Sequence, residues 1–300
     1  MLQLIFLYMA LLLHNVQEVC CGAGPLIPSS LSATMRADVV QGAVLCSLSV
    51  MSGLSSPPPL PVRCFFVPGF QLDSSYYRLL AREIRASGAK LEFLEGPEYT
   101  SSGTIESASL LMGEEVTRRL HSKTGAMQDR VVMMGHSRGG AVAALTSLAL
   151  LDRLERVSLV LLDPVDDAEL SAIKTLTANR ERLERFSDRI TVKVLSLPYG
   201  GYSSFYRKQL TSSCAPPGRN ADSFIEAFPA PIEVTREDFR DLGHMQILND
   251  PSWEPDSESE SESSSRGVYS SVCPRSDAGE ARSADARLVV REWVRLISIS

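Results

Sequence analysis

The sequence predicts an α/β protein, a mostly parallel central sheet with helices packed on both faces. Two observations carry the prediction. From Val62 onward, short apolar runs of strand type alternate with segments whose apolar residues recur at helical spacing, and such alternation builds parallel sheets covered on both sides. One run, Val131 to Met134, passes directly into Gly135-His136-Ser137-Arg138-Gly139 and then into a small-residue helix, AVAALTSLALL. A strand that turns sharply into a helix needs glycine on either side of the apex, where side chains would collide. The apex is Ser137, exposed above the carboxyl ends of the strands with a helix N-terminus beneath it to favour negative charge. A glycine-rich turn that happens to hold a serine is the plainer alternative. The strand before, the helix after, and the glycines at 135, 139 and 140 favour a nucleophile.

In chain order, Leu2 to Leu13 is almost wholly apolar. It is shorter than the ~20 residues a membrane span needs and fits the apolar core of a signal peptide, with Cys21-Gly22-Ala23 as a cleavage site. Residues 1–24 are therefore expected to be a targeting segment, although no Lys or Arg precedes the apolar run. Residues 25–61 read as leader and linker. They are rich in Ser and Thr up to Arg36, as a plastid transit segment or a plain linker would be. An early strand is expected within Val39–Val50, before the punctuation SSPPPLP at 55–61.

The domain proper is expected over 62–300. Val62–Val67 is a buried-type strand closed by Pro68-Gly69-Phe70. A helix follows, capped by Asp73 or Ser74, with Tyr77, Leu80 and Ile84 on one face and Gly88 as its stop. Leu91–Leu94 is the next strand. Thr104 caps a helix in which Ala108, Leu111, Met112 and Val116 form the apolar face. After the elbow come a strand at Val157–Leu162, a helix from Ala168 to Arg185, and a strand at Ile190–Leu195. The stretch 197–232 carries Tyr199, Tyr202, Phe205, Tyr206, Phe224 and Phe228 among Gly, Ser and Pro, and reads as an irregular binding loop or as a plug on the sheet edge. Residues 253–272 include DSESESESSS, an acidic run unable to bury apolar surface and expected to be a disordered insertion. Leu288–Ile297 closes the chain as an amphipathic helix, with Val289, Trp293 and Leu296 on its apolar face.

Composition narrows the chemistry. A net charge of −6 offers no basic footprint for nucleic acid. Four histidines with no HExxH pattern give no zinc site, so no metal is expected. Six cysteines in 300 residues do not make a disulfide scaffold. Whether Cys46, Cys64, Cys214 and Cys273 pair is left open.

A serine hydroxyl needs a base to take its proton as it attacks, and on this architecture the acid and then the histidine follow the serine in the chain. His14 lies in the leader, His121 precedes the elbow and His136 adjoins the serine, which leaves His244. The acid is expected at the end of a later strand. Asp163 follows Val157–Leu162 directly, with Asp166 and Asp167 as its nearest competitors. The next strand runs into Pro198-Tyr199-Gly200-Gly201 with no acid, which favours Asp163. Oxyanion donors are expected in the backbone N–H groups of Arg138 and Phe70. The Arg138 side chain is read either as an anion-binding group or as half of a structural ion pair.

These residues resemble those of the chlorophyllase family, plant and algal esterases that remove phytol from chlorophyll. The likeness lies in GHSRGG at 135–140, DPVD at 163–166 and DLGHMQILND at 241–250, with CAPPGRN at 214–220 and SSYY at 74–77 as further similar stretches. The resemblance implies an α/β-hydrolase fold, Ser137, Asp163 and His244 as triad, a plastid-derived hydrophobic ester as substrate, and no cofactor held by the protein. It also implies a plastid location, with the secretory pathway as the alternative, and contact with a membrane surface. Pro68 stands where the family usually has histidine before the oxyanion-loop glycine, and the acidic insertion after Asp250 is peculiar to this chain. Two other readings stay open: a lipase or esterase for another hydrophobic ester, and a non-catalytic binding protein of the same fold.

Overall fold

A computed structural model describes residues 62–100, 103–121, 130–199, 218–248 and 277–299. The leader, the linker with its expected early strand, and the acidic insertion lie outside the described residues. So do Tyr202, Phe205, Tyr206 and the cysteines other than Cys64, which is a buried free thiol.

Strand β1 (Arg63–Val67) leads through a 3₁₀ turn (Ser74–Tyr77) into α1 (Arg78–Ala86), then β2 (Lys90–Phe93), α2 (Pro97–Thr100) and α3 (Ile105–His121). The elbow joins β3 (Arg130–His136) to α4 (Arg138–Leu150). Next come β4 (Arg156–Leu162), α5 (Ser171–Ala178), α6 (Arg180–Arg185), β5 (Ile190–Ser196), α7 (Ala221–Ala227) and β6 (Glu233–Asp238). A 3₁₀ turn (His244–Ile247) carries the histidine segment, and α8 (Gly279–Ile299) closes the chain. The six strands run parallel in the order β2-β1-β3-β4-β5-β6. This is the architecture of an α/β hydrolase.

Two apolar cores flank the sheet, and strand alternation divides the residues between them. Phe65, Met133, Leu161 and Val194 face α3, α4, α5 and α7, whereas Phe66, Met134, Leu162 and Leu195 face α1 and α8. Central strands buried on both faces are apolar almost throughout, which is why VVMM and LVLL were readable as strands. Helix α4 is buried almost all round. Its Thr146 and Ser147 hydroxyls satisfy themselves on the Val142 and Ala143 carbonyls.

The helix starts follow from side-chain chemistry. Asp73 accepts from the Ser75 N–H, and Thr104 accepts from the Ser107 N–H. Several expectations need correction. Leu111 is exposed on α3, whose buried face is Ile105, Ala108, Met112, Val116 and Leu120. Leu296 is exposed on α8, where Ala286, Val290, Trp293 and Val294 pack inward instead. The helix expected from Ala168 to Arg185 starts at Ser171 and breaks at Asn179, whose amide donates to the Thr175 carbonyl. The stretch 197–232 is not uniformly a loop. It contains α7, whose Phe224 and neighbouring Phe228 are core residues. Strand β6 escaped the sequence reading because Glu-Val-Thr-Arg-Glu-Asp is an edge strand with no buried position, and charge on an edge is what keeps such a strand from pairing further.

Among the described residues no helix is long and apolar enough to cross a membrane.

Candidate active site

The elbow is set by close backbone approaches. A Cβ on Gly135 would lie 2.1 Å from the Gly139 carbonyl oxygen, and one on Gly139 would lie 2.2 Å from that of Pro68. Neither position admits a side chain. Between them Ser137 takes φ 56° and ψ −130°, a conformation that costs a residue other than glycine about 1–3 kcal/mol. Three backbone hydrogen bonds hold it there: its N–H donates to Leu162, and its carbonyl accepts from Gly140 and Val165. Arg138, the first residue of α4, has an N–H with no acceptor inside its own helix. The loop after β1 lies against Ser137, since a Cβ on Gly69 would be 3.3 Å from Ser137 Cβ. That loop carries the Phe70 N–H.

Asp163 follows β4 directly, with φ 42° and its side chain buried. Its Oδ1 accepts from the Leu197 N–H at 3.0 Å, and its Oδ2 accepts from His244 Nδ1–H at 2.6 Å. A carboxylate offers only acceptors, so Nδ1 of His244 carries the proton and Nε2 is left as the ring's basic nitrogen. The chain separation of 81 residues makes this a product of the fold alone.

His136, the residue before Ser137, packs against His244. Its ring is wholly buried and stacks on that of His244, with centroids 4.6 Å apart. Its Nε2 lies 3.0 Å from the His244 carbonyl oxygen, and its Nδ1 lies 2.9 Å from the Tyr77 hydroxyl. Burial, with the neighbouring His244 as a lesser cause, holds its pKa well below the usual histidine range.

The rival acids are occupied elsewhere. Asp166 caps α5, accepting from the N–H groups of Asp167, Ala172 and Ile173. Burial raises its pKa against those bonds. Asp167 accepts from Glu169 and Ser171. The Arg138 guanidinium is neither an open anion site nor half of a direct ion pair: it donates to the Tyr99 and Gly103 carbonyls at 2.7 and 3.0 Å. It thereby ties Tyr99 of α2 and Gly103 to the start of α4. Among the described residues no cluster of His, Cys, Asp and Glu is placed to hold a metal.

The sequence model of the chlorophyllase family matches residues 60–281. The chain belongs to the chlorophyllase family. Chlorophyllase-1, chloroplastic, of Citrus unshiu and of Citrus sinensis are each 27% identical to it over 225 residues, covering 68% of this chain and 64% of the relative. The chain thus spans just under two thirds of the length of those relatives. Its fold is similar to that of a Paleococcus ferrophilus monoacylglycerol lipase, with a TM-score of 0.43 at 12% identity over 79% of this chain and 95% of that one. A second similar structure is Est1E from Butyrivibrio proteoclasticus, with a TM-score of 0.39 at 14% identity over 64% and 83%.

In this chlorophyllase-family chain, then, the carboxyl ends of β3 and β4 and the histidine segment meet at one place. Asp163 and His244 are bonded, and Ser137 sits one residue from the ring stacked on His244. Among the described residues the Ser137 hydroxyl makes no hydrogen bond to His244. Of the aromatic residues expected around the site, Tyr199 is exposed and tied by its N–H to the Leu242 carbonyl. Phe70 is also exposed. Sequence reasoning passed over Tyr77, read as a core residue, and His136, set aside in the search for a base. The one signal for His136 was its position: a histidine inside a run of strand residues buried on both faces must satisfy two ring nitrogens there.

Proposed function

We propose that this chain is a serine carboxylesterase that cleaves the phytyl ester of chlorophyll through an acyl-enzyme. The single observation that carries the chemistry is the buried 2.6 Å bond from His244 Nδ1 to Asp163, formed beside a serine held at φ 56°. In this reading Ser137 Oγ attacks the propionate ester carbonyl while His244 Nε2 takes its proton, and Asp163 stabilises the imidazolium. The N–H groups of Phe70 and Arg138 receive the oxyanion, each worth roughly 3 kcal/mol in the transition state. His244 returns the proton to the departing alkoxide, so phytol leaves. Water then attacks the acyl-serine with His244 again as base, and chlorophyllide is released. The missing bond from Ser137 to His244 is compatible with this scheme, because catalytic hydrogen bonds often tighten only around a substrate.

The choice of pigment rests on membership of the chlorophyllase family and on the Citrus relatives' name. The exposed Phe70 and Tyr199 suit an apolar ester approaching over the carboxyl edge of the sheet. The relatives are described as chloroplastic, and we assign residues 1–24 to targeting and this chain to the plastid, in contact with a pigment-bearing membrane surface.

Purified protein incubated with chlorophyll a is expected to yield chlorophyllide, separable from the parent pigment by chromatography. Turnover of a long-chain p-nitrophenyl ester without chlorophyllide would move the substrate to another hydrophobic ester. Failure of a fluorophosphonate probe to label Ser137 would leave a binding protein.

A further inference from the structure

We propose that His136, although outside the triad, is a positioning residue. With Tyr77 it ties the oxyanion loop and the main chain of the catalytic histidine to the strand that carries the nucleophile. This inference rests on the function proposed above, since it takes Ser137 as nucleophile and His244 as base.

The direction of each hydrogen bond follows from what each group can do. The His244 carbonyl only accepts, so His136 Nε2 carries the ring proton and donates across 3.0 Å. His136 Nδ1 is then the acceptor, and the Tyr77 hydroxyl gives its proton to it across 2.9 Å. The Tyr77 oxygen in turn accepts from the Gly69 N–H at 2.9 Å. The relay therefore runs Gly69 N–H, Tyr77 O–H, His136 ring, His244 carbonyl, and all its members are buried or lie in buried bonds. A protonated His136 ring would carry a proton on Nδ1 and could no longer accept from the Tyr77 hydroxyl, so the relay holds only with a neutral ring. Neutrality matters beside the base. The His244 imidazole gains a proton during the reaction, and a second cation stacked 4.6 Å from it would oppose that gain.

The relay joins parts of the site that come from separate stretches of the chain. The register of β1 on β3 extends to Val67 opposite Gly135, and beyond Val67 the chain leaves the sheet. Gly69 lies two residues past that last pairing. His244 sits in a segment after β6, at the far edge of the sheet. Asp163 fixes its ring, while His136 fixes its main chain. A Cβ on Gly69 would reach within 3.2 Å of His136 Nδ1 and 3.3 Å of Ser137 Cβ, so a shift in the relay is a shift of the oxyanion loop against the nucleophile. Displacing catalytic groups by about 1 Å costs on the order of 100-fold in rate.

Three variants separate positioning from plain support of the core. Tyr77→Phe removes one hydroxyl. His136→Phe keeps the stacked ring and removes both nitrogens. His136→Gln restores an acceptor and a donor. For each, active sites are counted by fluorophosphonate labelling, and kcat and KM for p-nitrophenyl butyrate are measured beside the thermal unfolding midpoint. Tyr77→Phe and His136→Phe are expected to lower kcat per labelled site roughly 10- to 100-fold with KM nearly unchanged, and His136→Gln to regain much of the loss. The double variant Tyr77→Phe/His136→Phe should be no slower than the worse single one, because a chain broken once is broken. Wild-type kcat per labelled site in both single variants, with only the unfolding midpoint lowered, would overturn the proposal, and so would losses that multiply in the double variant. Should His136→Phe not fold, Tyr77→Phe alone decides, because its smaller change leaves the ring in place. Wild-type protein that takes no label at all would overturn the proposed function and this inference together.

Discussion

The two ends of the same six strands are built on opposite terms. At the amino ends polar groups are charged and paired, most of them at the surface, with Arg63 as a buried exception. Arg63, at the start of β1, bonds to Glu92 and to the Arg119 carbonyl, while Lys90 also reaches Glu92. Glu115 on α3 binds Arg118 and Arg119, and Arg182 binds Asp152. At the carboxyl ends the polar groups are few and buried, and the backbone is bent. His136, Asp163 and His244 are all buried, and Gln71, Ser137 and Asp163 have φ between 42° and 56°. Exposed ion pairs are each worth little and fail singly, whereas buried polar groups on strained backbone act as a connected unit. The contrast teaches that this fold concentrates its costs at one edge of the sheet, where the proposed chemistry occurs.

The sharpest way to test that contrast is to remove the apex group. Ser137→Ala is expected to abolish both fluorophosphonate labelling and ester turnover, a fall of around a million-fold to background, with the unfolding midpoint near that of the wild type. Activity surviving in that variant would remove the carboxyl edge from the mechanism.

Asp163→Asn comes next. An amide can still accept from the Leu197 N–H, but it no longer presents an anionic acceptor to His244 Nδ1. The ring is then free to take the wrong tautomer, and kcat should drop about 10⁴-fold. A drop of less than tenfold would transfer the acid's role to another carboxylate.

Gly139→Ala probes the backbone rather than the chemistry. Its Cβ would meet the Val67 and Pro68 carbonyls at 2.3 and 2.2 Å, so β1 and the oxyanion loop must move. Overpacking of this kind costs about 1–3 kcal/mol or more, read as a lower unfolding midpoint together with reduced specific activity. An active and equally stable alanine variant would mean that the elbow is slack.

The smallest effect is expected at the opposite edge. The Arg118 hydrogen bond is the chief cause holding the Glu115 carboxyl down to about 2, with burial opposing it and Arg119 assisting. Because that carboxyl titrates lower in the folded chain than in the unfolded one, its contribution is present above the ordinary glutamate range and fades as pH falls toward 2. Glu115→Gln should therefore shift the unfolding midpoint at pH 7 by no more than about 2 °C, less still at pH 3, and leave kcat unchanged. A large loss of activity would show that the two ends of the sheet are coupled.

How much of this was legible depended on whether a residue's role is local. The elbow was readable because its demands fall on consecutive residues: glycine where backbones touch, an apolar strand before, small residues after. The central strands were readable because burial on both faces leaves few polar positions. Strand β6 was not, because an edge strand tolerates charge and so resembles a loop. Phe224 and Phe228 were misplaced for the converse reason, since seven residues of helix do not repeat often enough to reveal a buried face. His136 was passed over because elimination sought a base, and a histidine next to the serine cannot turn its ring to serve that serine while its nitrogens are spent elsewhere.

The sequence by itself determined the α/β alternation, the sharp turn at Ser137 and a short list of acids and histidines, because each is written in contacts a few residues long. Only the tertiary structure decided that Asp163 rather than Asp166 meets His244, that Arg138 braces a neighbouring loop, and that Gly69, Tyr77, His136 and His244 share one line of protons. Those outcomes depend on strand order and on which carboxylate a helix start has already claimed, and residues as far apart as 69 and 244 learn of each other only when the sheet is assembled.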